Sequence, residues 1–244
     1  MPNCIKCKAS LEENTRFCDA CGTEQPEALF CDSCGAALEA GAGFCDACGV
    51  VCGQGEDEAR DTDDPREAFN KGVMSFEDED YENAIKIFTA LLKANPNSSI
   101  LYRYRGDAYR EKGDLDKAIQ DFDEAIRLEP NDDLAFYGRG HAYNLKGDAD
   151  MAIKDYTESI DISSRFELAY AYRGGLYLDQ GKYDLAIKDF SQVIKLTPND
   201  PEAYFDRGEA YQEMGKKDLA IKDFKECLKL DPEHSRAKKA LSDM

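Results

Sequence analysis

The chain has 244 residues, ten Cys, no Trp, two His and a net charge of −19, from 31 basic and 50 acidic side chains. That acid excess argues against binding by phosphate neutralisation and against docking on an anionic membrane surface. No apolar run approaches the ~18 residues of a membrane span. Met1 to Ser10 also lacks the apolar core of a secretory signal, so a soluble, cytoplasmic protein is expected.

Nine of the ten Cys fall between positions 4 and 52. Eight form C-x2-C pairs: Cys4 with Cys7, Cys18 with Cys21, Cys31 with Cys34, and Cys45 with Cys48. Within each half the pairs are ten residues apart, and the whole pattern repeats after 27 residues, with Leu11 and Leu38, Phe17 and Phe44, and Gly22 and Gly49 in step. In a reducing compartment such thiols read as metal ligands rather than disulfides. Two C-x2-C turns close a tetrahedral four-thiolate site for zinc with no open position for a hydrolytic water. The segment has too few apolar residues for a core of its own, so metal binding and folding are expected to be one event. A thioredoxin-like redox site would need a βαβ context that is absent. Iron bound as in rubredoxin usually has a longer span between its Cys pairs. Exchange of pairs between halves stays open, although the duplication favours sequential pairing. This stretch, residues 1–50, resembles the double zinc ribbon family, with Lys8 standing where Gly is usual. The resemblance implies two zinc ions, each held by four Cys. Residues 1–52 carry a charge of −5 before metal is added, which disfavours phosphate contact. A transcription- or RNA-related factor docking on nucleic acid or polymerase, and a zinc–thiol redox sensor using Cys52, stand as alternatives.

Residues 53–64 hold six acids and one Arg after a Gly-Gln-Gly start and read as a solvated, flexible linker. From Pro65 the pattern changes to a 34-residue repeat. Gly72, Gly106, Gly140, Gly174 and Gly208 are in register, as are Ala84, Ala118, Ala152, Ala186 and Ala220. Phe88, Phe122, Tyr156, Phe190 and Phe224 follow four residues after the Ala, and Pro96, Pro130, Pro198 and Pro232 close four units. The five units are 65–98, 99–132, 133–166, 167–200 and 201–234, and residues 235–244 predict a short capping helix. Each unit predicts two helices, A at repeat positions 2–14 and B at 18–30. The small residues at positions 8 and 20 permit a close crossing, and Gly113, Gly147, Gly181 and Gly215 permit the turn between helices. Unit 3 has Ser164 in place of Pro, so its helix B is expected to run slightly longer. Arg105, Arg139, Arg173 and Arg207 recur with Asp121, Asp155, Asp189 and Asp223, and that register favours an internal ion-pair ladder over a ligand site. Cys227 reads as a small buried apolar residue.

A fixed period with this signature resembles the tetratricopeptide repeat family over 170 of the 244 residues. The expected fold is mostly α: a five-repeat α-solenoid preceded by the small zinc-ribbon module. No catalytic triad, P-loop or dinucleotide turn is present, so a non-enzymatic interaction adaptor is expected. At 100° per residue, positions 2, 5, 6, 9, 12 and 13 of helix A share one face. In the family this face lines the concave groove. Candidate partner-binding residues on it are Phe69, Arg103, Tyr104, Tyr137, His141, Tyr172, Asp179, Glu202, Phe205, Asp206 and Glu209. Its thirty positions carry three basic residues, all in units 1 and 2, and eight acids, five of them in units 4 and 5. Units 4 and 5 are expected to have no basic residue on that face, and the occupant to be a basic, partly apolar peptide segment. Relatives that grip the terminal carboxylate of a chaperone tail place Lys at position 5 and Asn at position 9. Unit 1 has Phe69 and Val73 there, so no such clamp is expected.

Eight paired thiols should hold two zinc ions per chain. With sequential pairing, Cys18→Ser should lose one and keep the other, as elemental analysis of chelator-free protein would report.

Overall fold

The computed structural model describes residues 29–30, 37–38 and 64–244. The chain divides into two units, Met1–Ile100 and Leu101–Met244. In the first, β1 (Leu29–Phe30) and β2 (Ala37–Leu38) pair antiparallel, Leu29 opposite Leu38 and Phe30 opposite Ala37. The same unit holds α1 (Pro65–Glu77) and α2 (Tyr81–Ala94). The second contains all but the first two residues of α3 (Ser99–Lys112), paired with α4 (Leu115–Leu128), then α5 (Asp133–Leu145) with α6 (Ala149–Ile162), α7 (Glu167–Asp179) with α8 (Tyr183–Leu196), and α9 (Pro201–Glu213) with α10 (Lys217–Leu230). Helix α11 (Ser235–Ser242) closes the chain.

Every helix B begins one residue earlier than predicted, at repeat position 17, and every helix A at position 1. The cause at several A helices is an N-cap. Asp132 and Asp200 occupy position 34 and Asp64 immediately precedes unit 1, and each accepts a hydrogen bond from the next helix's first turn. Helix α6 ends at Ile162, the same repeat position as Leu128, Leu196 and Leu230, so unit 3 does not run longer. Ser163 caps it with its backbone N–H on the Ser159 carbonyl, and the Pro proves unnecessary for the stop. Gly113, Gly147, Gly181 and Gly215 close helix A with φ between 70° and 90°. In unit 1, Glu79 takes the equivalent place at φ 61°, a left-handed conformation that costs a non-glycine residue ~1–2 kcal/mol.

The core is built from one aromatic wedge per repeat. Phe88, Phe122, Tyr156, Phe190 and Phe224 are all essentially out of water. Phe122 shows why the neighbouring helices need glycine. A Cβ at Gly138 would lie 2.5 Å from its ring.

A second device ties the helices together. Arg105, Arg139, Arg173 and Arg207 each place Nε and Nη2 on the two carboxylate oxygens of Asp121, Asp155, Asp189 and Asp223, at 2.7–2.9 Å. Three of them use Nη1 to reach the preceding repeat's helix B: Arg139 to Asp123 at 2.6 Å, Arg173 to the Thr157 hydroxyl at 2.9 Å, Arg207 to the Ser191 hydroxyl at 3.1 Å. The ladder is therefore internal, and its four Asp are 0–6% exposed.

Breaking a buried pair leaves an uncompensated charge. Asp155→Ala should cost about 3 kcal/mol in urea unfolding by that rule. Asp123→Ala, whose carboxylate is half exposed, should cost under about 1 kcal/mol.

Candidate functional site

The eight paired thiols lie outside the described residues: Cys4, Cys7, Cys18 and Cys21 of the first half, and Cys31, Cys34, Cys45 and Cys48 of the second. Their assignment as zinc ligands therefore stands on the sequence. The donor set, four thiols per half, suits zinc. In the sequence, β1 and β2 stand on either side of residues 31–36, which include Cys31 and Cys34. The choice between sequential and exchanged pairing passes to the zinc count of Cys4→Ser with Cys18→Ser, which removes ligands from one site under sequential pairing and from both under exchanged pairing.

On the helix-A face the basic residues are occupied. Arg103 donates from Nε to Asp132 at 3.2 Å and lies over the Tyr104 ring. Arg110 pairs with Asp107 at 2.7 Å and with Glu111 at 2.8 Å. In the first unit, Phe69 packs edge-on against Phe88, centroids 6.0 Å apart.

Units 3 and 4 build an aromatic bay. Tyr137 on α5 meets Phe166 at 4.9 Å and Tyr172 at 5.8 Å. His141 lies one turn along α5, its ring 4.9 Å from that of Tyr172. Burial, and then Arg110, push the His141 imidazole below its ordinary range, so it is neutral near pH 7. Tyr172 stacks on Tyr156 at 5.9 Å and stays 36% exposed.

Beside the bay lies an open pocket of about 290 Å³, lined from three successive A helices: Asn144 of α5, Tyr172, Gly175 and Asp179 of α7, and Asp206 of α9. Asp206 is largely out of water. Burial first, then Glu209 and Glu202, push its carboxyl up to about 7, while Arg236 acts the other way. Burial also raises Glu209.

Two expectations need correction. Phe205 is not a groove contact; it is 2% exposed, with the His234 ring at 4.9 Å and the Arg236 guanidinium 4.4 Å from its centroid. Nor does the face of unit 5 lack a basic residue. Helix α11 brings Arg236 onto Glu202, which His234 Nε2 also contacts at 2.9 Å. His234 in turn caps α11, its Nδ1 accepting from the Ala237 N–H at 3.1 Å. The register held the signal: Arg236 lies 34 residues after Glu202, and Ala237 34 after Ala203, so the period continues beyond unit 5.

Asp206 binds its proton more tightly folded than unfolded. Its contribution to stability is thus present at low pH and is lost as pH rises from about 4 to about 7. Asp206→Asn should match the parent near pH 4. At pH 8 it should exceed it by on the order of 1–2 kcal/mol after allowance for screening, in urea midpoints at the two pH values.

Residues 106–147 and 174–215 match the family described as TPR repeat, and 68–98, 87–120, 135–166 and 201–234 match tetratricopeptide repeat families. Residues 4–49 match the double zinc ribbon family. Among solved structures, that of MamA protein is 26% identical with a TM-score of 0.62, over 70% of this chain and 94% of its own. YrrB, described as a TPR protein with an unusual peptide-binding site, is 18% identical with a TM-score of 0.62, over 72% and 90%. A tetratricopeptide repeat protein from Parabacteroides merdae is 20% identical with a TM-score of 0.64, over 73% and 71%. No curated protein is similar enough to be matched. With helix pairs in a 34-residue register and family matches along them, the chain belongs to the tetratricopeptide repeat proteins and carries a double zinc ribbon ahead of its repeats.

Proposed function

We propose that the protein is a non-enzymatic interaction scaffold: a zinc-stabilised head (residues 1–52, two ions on the eight paired Cys), an acidic linker (53–64), and five repeats (65–234) capped by residues 235–244. The repeats bind a peptide segment of a protein partner on their helix-A face. Proteins of this repeat family generally act as adaptors, and the described residues include no helix long and apolar enough to cross a membrane.

One observation carries the reading: the pocket and bay on α5, α7 and α9. Here exposed apolar surface meets acids that no basic neighbour neutralises fully. The basic side chains of the α3 part of the face are already paired, so the field over α7 and α9 is negative. Low-dielectric walls focus such a field and favour a cationic segment. Tyr137, His141 and Tyr172 supply ring faces for an apolar or aromatic anchor beside it. An acidic chaperone tail would meet Asp179, Asp206 and Glu209 instead of a basic clamp.

Random twelve-residue peptides selected on the full-length chain should be enriched in Arg or Lys beside a bulky apolar residue. Asp206→Lys with Glu209→Lys should weaken their binding at least tenfold and flatten its salt dependence. Glu202 is left intact because it holds α11. Unchanged affinity in a variant with parental circular dichroism would move the partner site off this face.

A further inference from the structure

Position 9 of helix A carries Val73, Asp107, His141 and Glu209 in the other repeats and Gly175 in the fourth. A Cβ at Gly175 would meet no atom within 4 Å. The floor of the pocket is open because that side chain is missing. Its polar groups come from three helices: the Asn144 amide, the Asp179 carboxylate and the Asp206 carboxylate. Among the described residues neither carboxylate receives a hydrogen bond or an ion pair. The charges around Asp206 are Glu202 and Glu209 on its own helix, Asp200 just before it, and Arg236 from α11. Glu209 itself senses Glu213 and, across on α7, Asp179. Helix α5 adds only the neutral Asn144 to the pocket. One guanidinium therefore faces a cluster of carboxylates.

The Tyr172 ring is held in place by its neighbours: it stacks on the fully buried Tyr156 at 5.9 Å and meets Tyr137 at 5.8 Å.

We propose that this pocket receives a single arginine side chain from the protein partner, the guanidinium stacked on Tyr172 and shared between Asp179 and Asp206. The assignment rests on the helix-A face being the partner site. Arginine suits the geometry better than lysine. Its flat, weakly hydrated fork offers five donors to acceptors spread over several helices and a π face to the ring, whereas an ammonium is a compact, strongly hydrated point charge. The chain displays the same pairing one repeat further on, where the Arg236 guanidinium lies 4.4 Å from the centroid of Phe205 and pairs with Glu202. Because Asp206 titrates near neutrality, a proton competes with the guanidinium, and binding weakens as pH falls.

The test uses the full-length chain and two small probes, N-acetyl-arginine N-methylamide and its neutral citrulline counterpart. In amide NMR spectra the arginine probe should shift Gly175, Asp179 and Asp206 saturably, and the citrulline probe should not. Affinity should fall roughly tenfold from pH 8 to pH 6, the loss expected as Asp206 takes up its proton, and Asp206→Asn should remove that dependence. Gly175→Met, which places a side chain in open space, should abolish the shifts while keeping or raising the melting temperature. Equal shifts from the citrulline probe, or shifts that survive Gly175→Met, overturn the pocket. The selected peptides separate the two levels. If Asp206→Lys with Glu209→Lys abolishes their binding and Gly175→Met leaves it unchanged, the arginine pocket falls and the groove stands. If neither variant changes it, both fall.

Discussion

The arginine at position 7 of the helix-A repeat is the contact on which the second unit depends. Arg139, Arg173 and Arg207 each join three elements: their own helix, the Asp of their helix B, and a side chain of the preceding helix B. Lysine could not do this, since only the guanidinium offers a planar fork plus a further donor in fixed geometry. Removing such charges from water is costly, and the aromatic residues at positions 4 and 11 form the sheath that makes it possible. The Tyr170 and Tyr177 rings lie 5.7 and 5.8 Å from Arg173, and those of Tyr204 and Tyr211 lie 5.8 and 6.0 Å from Arg207. The aromatics that appear in the sequence as helix packing are thus also the walls of an ion-pair channel.

That ladder divides the charge of helix A into two populations. Charges on the packing side are saturated and set register. Those on the opposite face are paired to different degrees from repeat to repeat. In α3 the outer face is also largely self-neutralised, since Arg110 closes on Asp107 and Glu111. In α9 it is not, because among the described residues Arg236 is the one guanidinium shared by Glu202, Asp206 and Glu209, and the His234 hydrogen bond reaches Glu202 only. The asymmetry along the repeats, rather than the overall charge of −19, is what gives the groove a direction.

Most of the architecture could be read from the period, because each recurring residue answers a local constraint. Gly at position 8 admits the wedge, the aromatic at position 24 is the wedge, and Gly at position 15 closes the helix. What escaped were places where one interaction substitutes for another. Glu79 makes the left-handed turn without being Gly, and a backbone cap at Ser163 stops α6 without Pro. Phe205 was misplaced for a different reason. Helical-face arithmetic fixes the direction of a side chain, but burial depends on what arrives from elsewhere in the chain, here α11.

The end of the repeat array explains why α11 does this. A repeat buries its faces only against neighbours, so the last one leaves an apolar surface exposed. Helix α11 covers it: Ala237 joins Phe205, Ala220, Phe224 and Cys227 in one buried cluster, with Leu241 and Met244 packed at its margin. Cys227 is thereby enclosed, and burial pushes its thiol up to about 11, out of reach of thiolate chemistry at neutral pH. The same helix carries Arg236 across to Glu202, so closing the core and partly neutralising the acidic face are one event. The cation covers the far end of α9 and leaves the α7–α9 junction uncompensated. The open pocket therefore lies between the last paired guanidinium of α3 and the capping guanidinium of α11, and among the described residues its lining provides acids and ring surface but no cation.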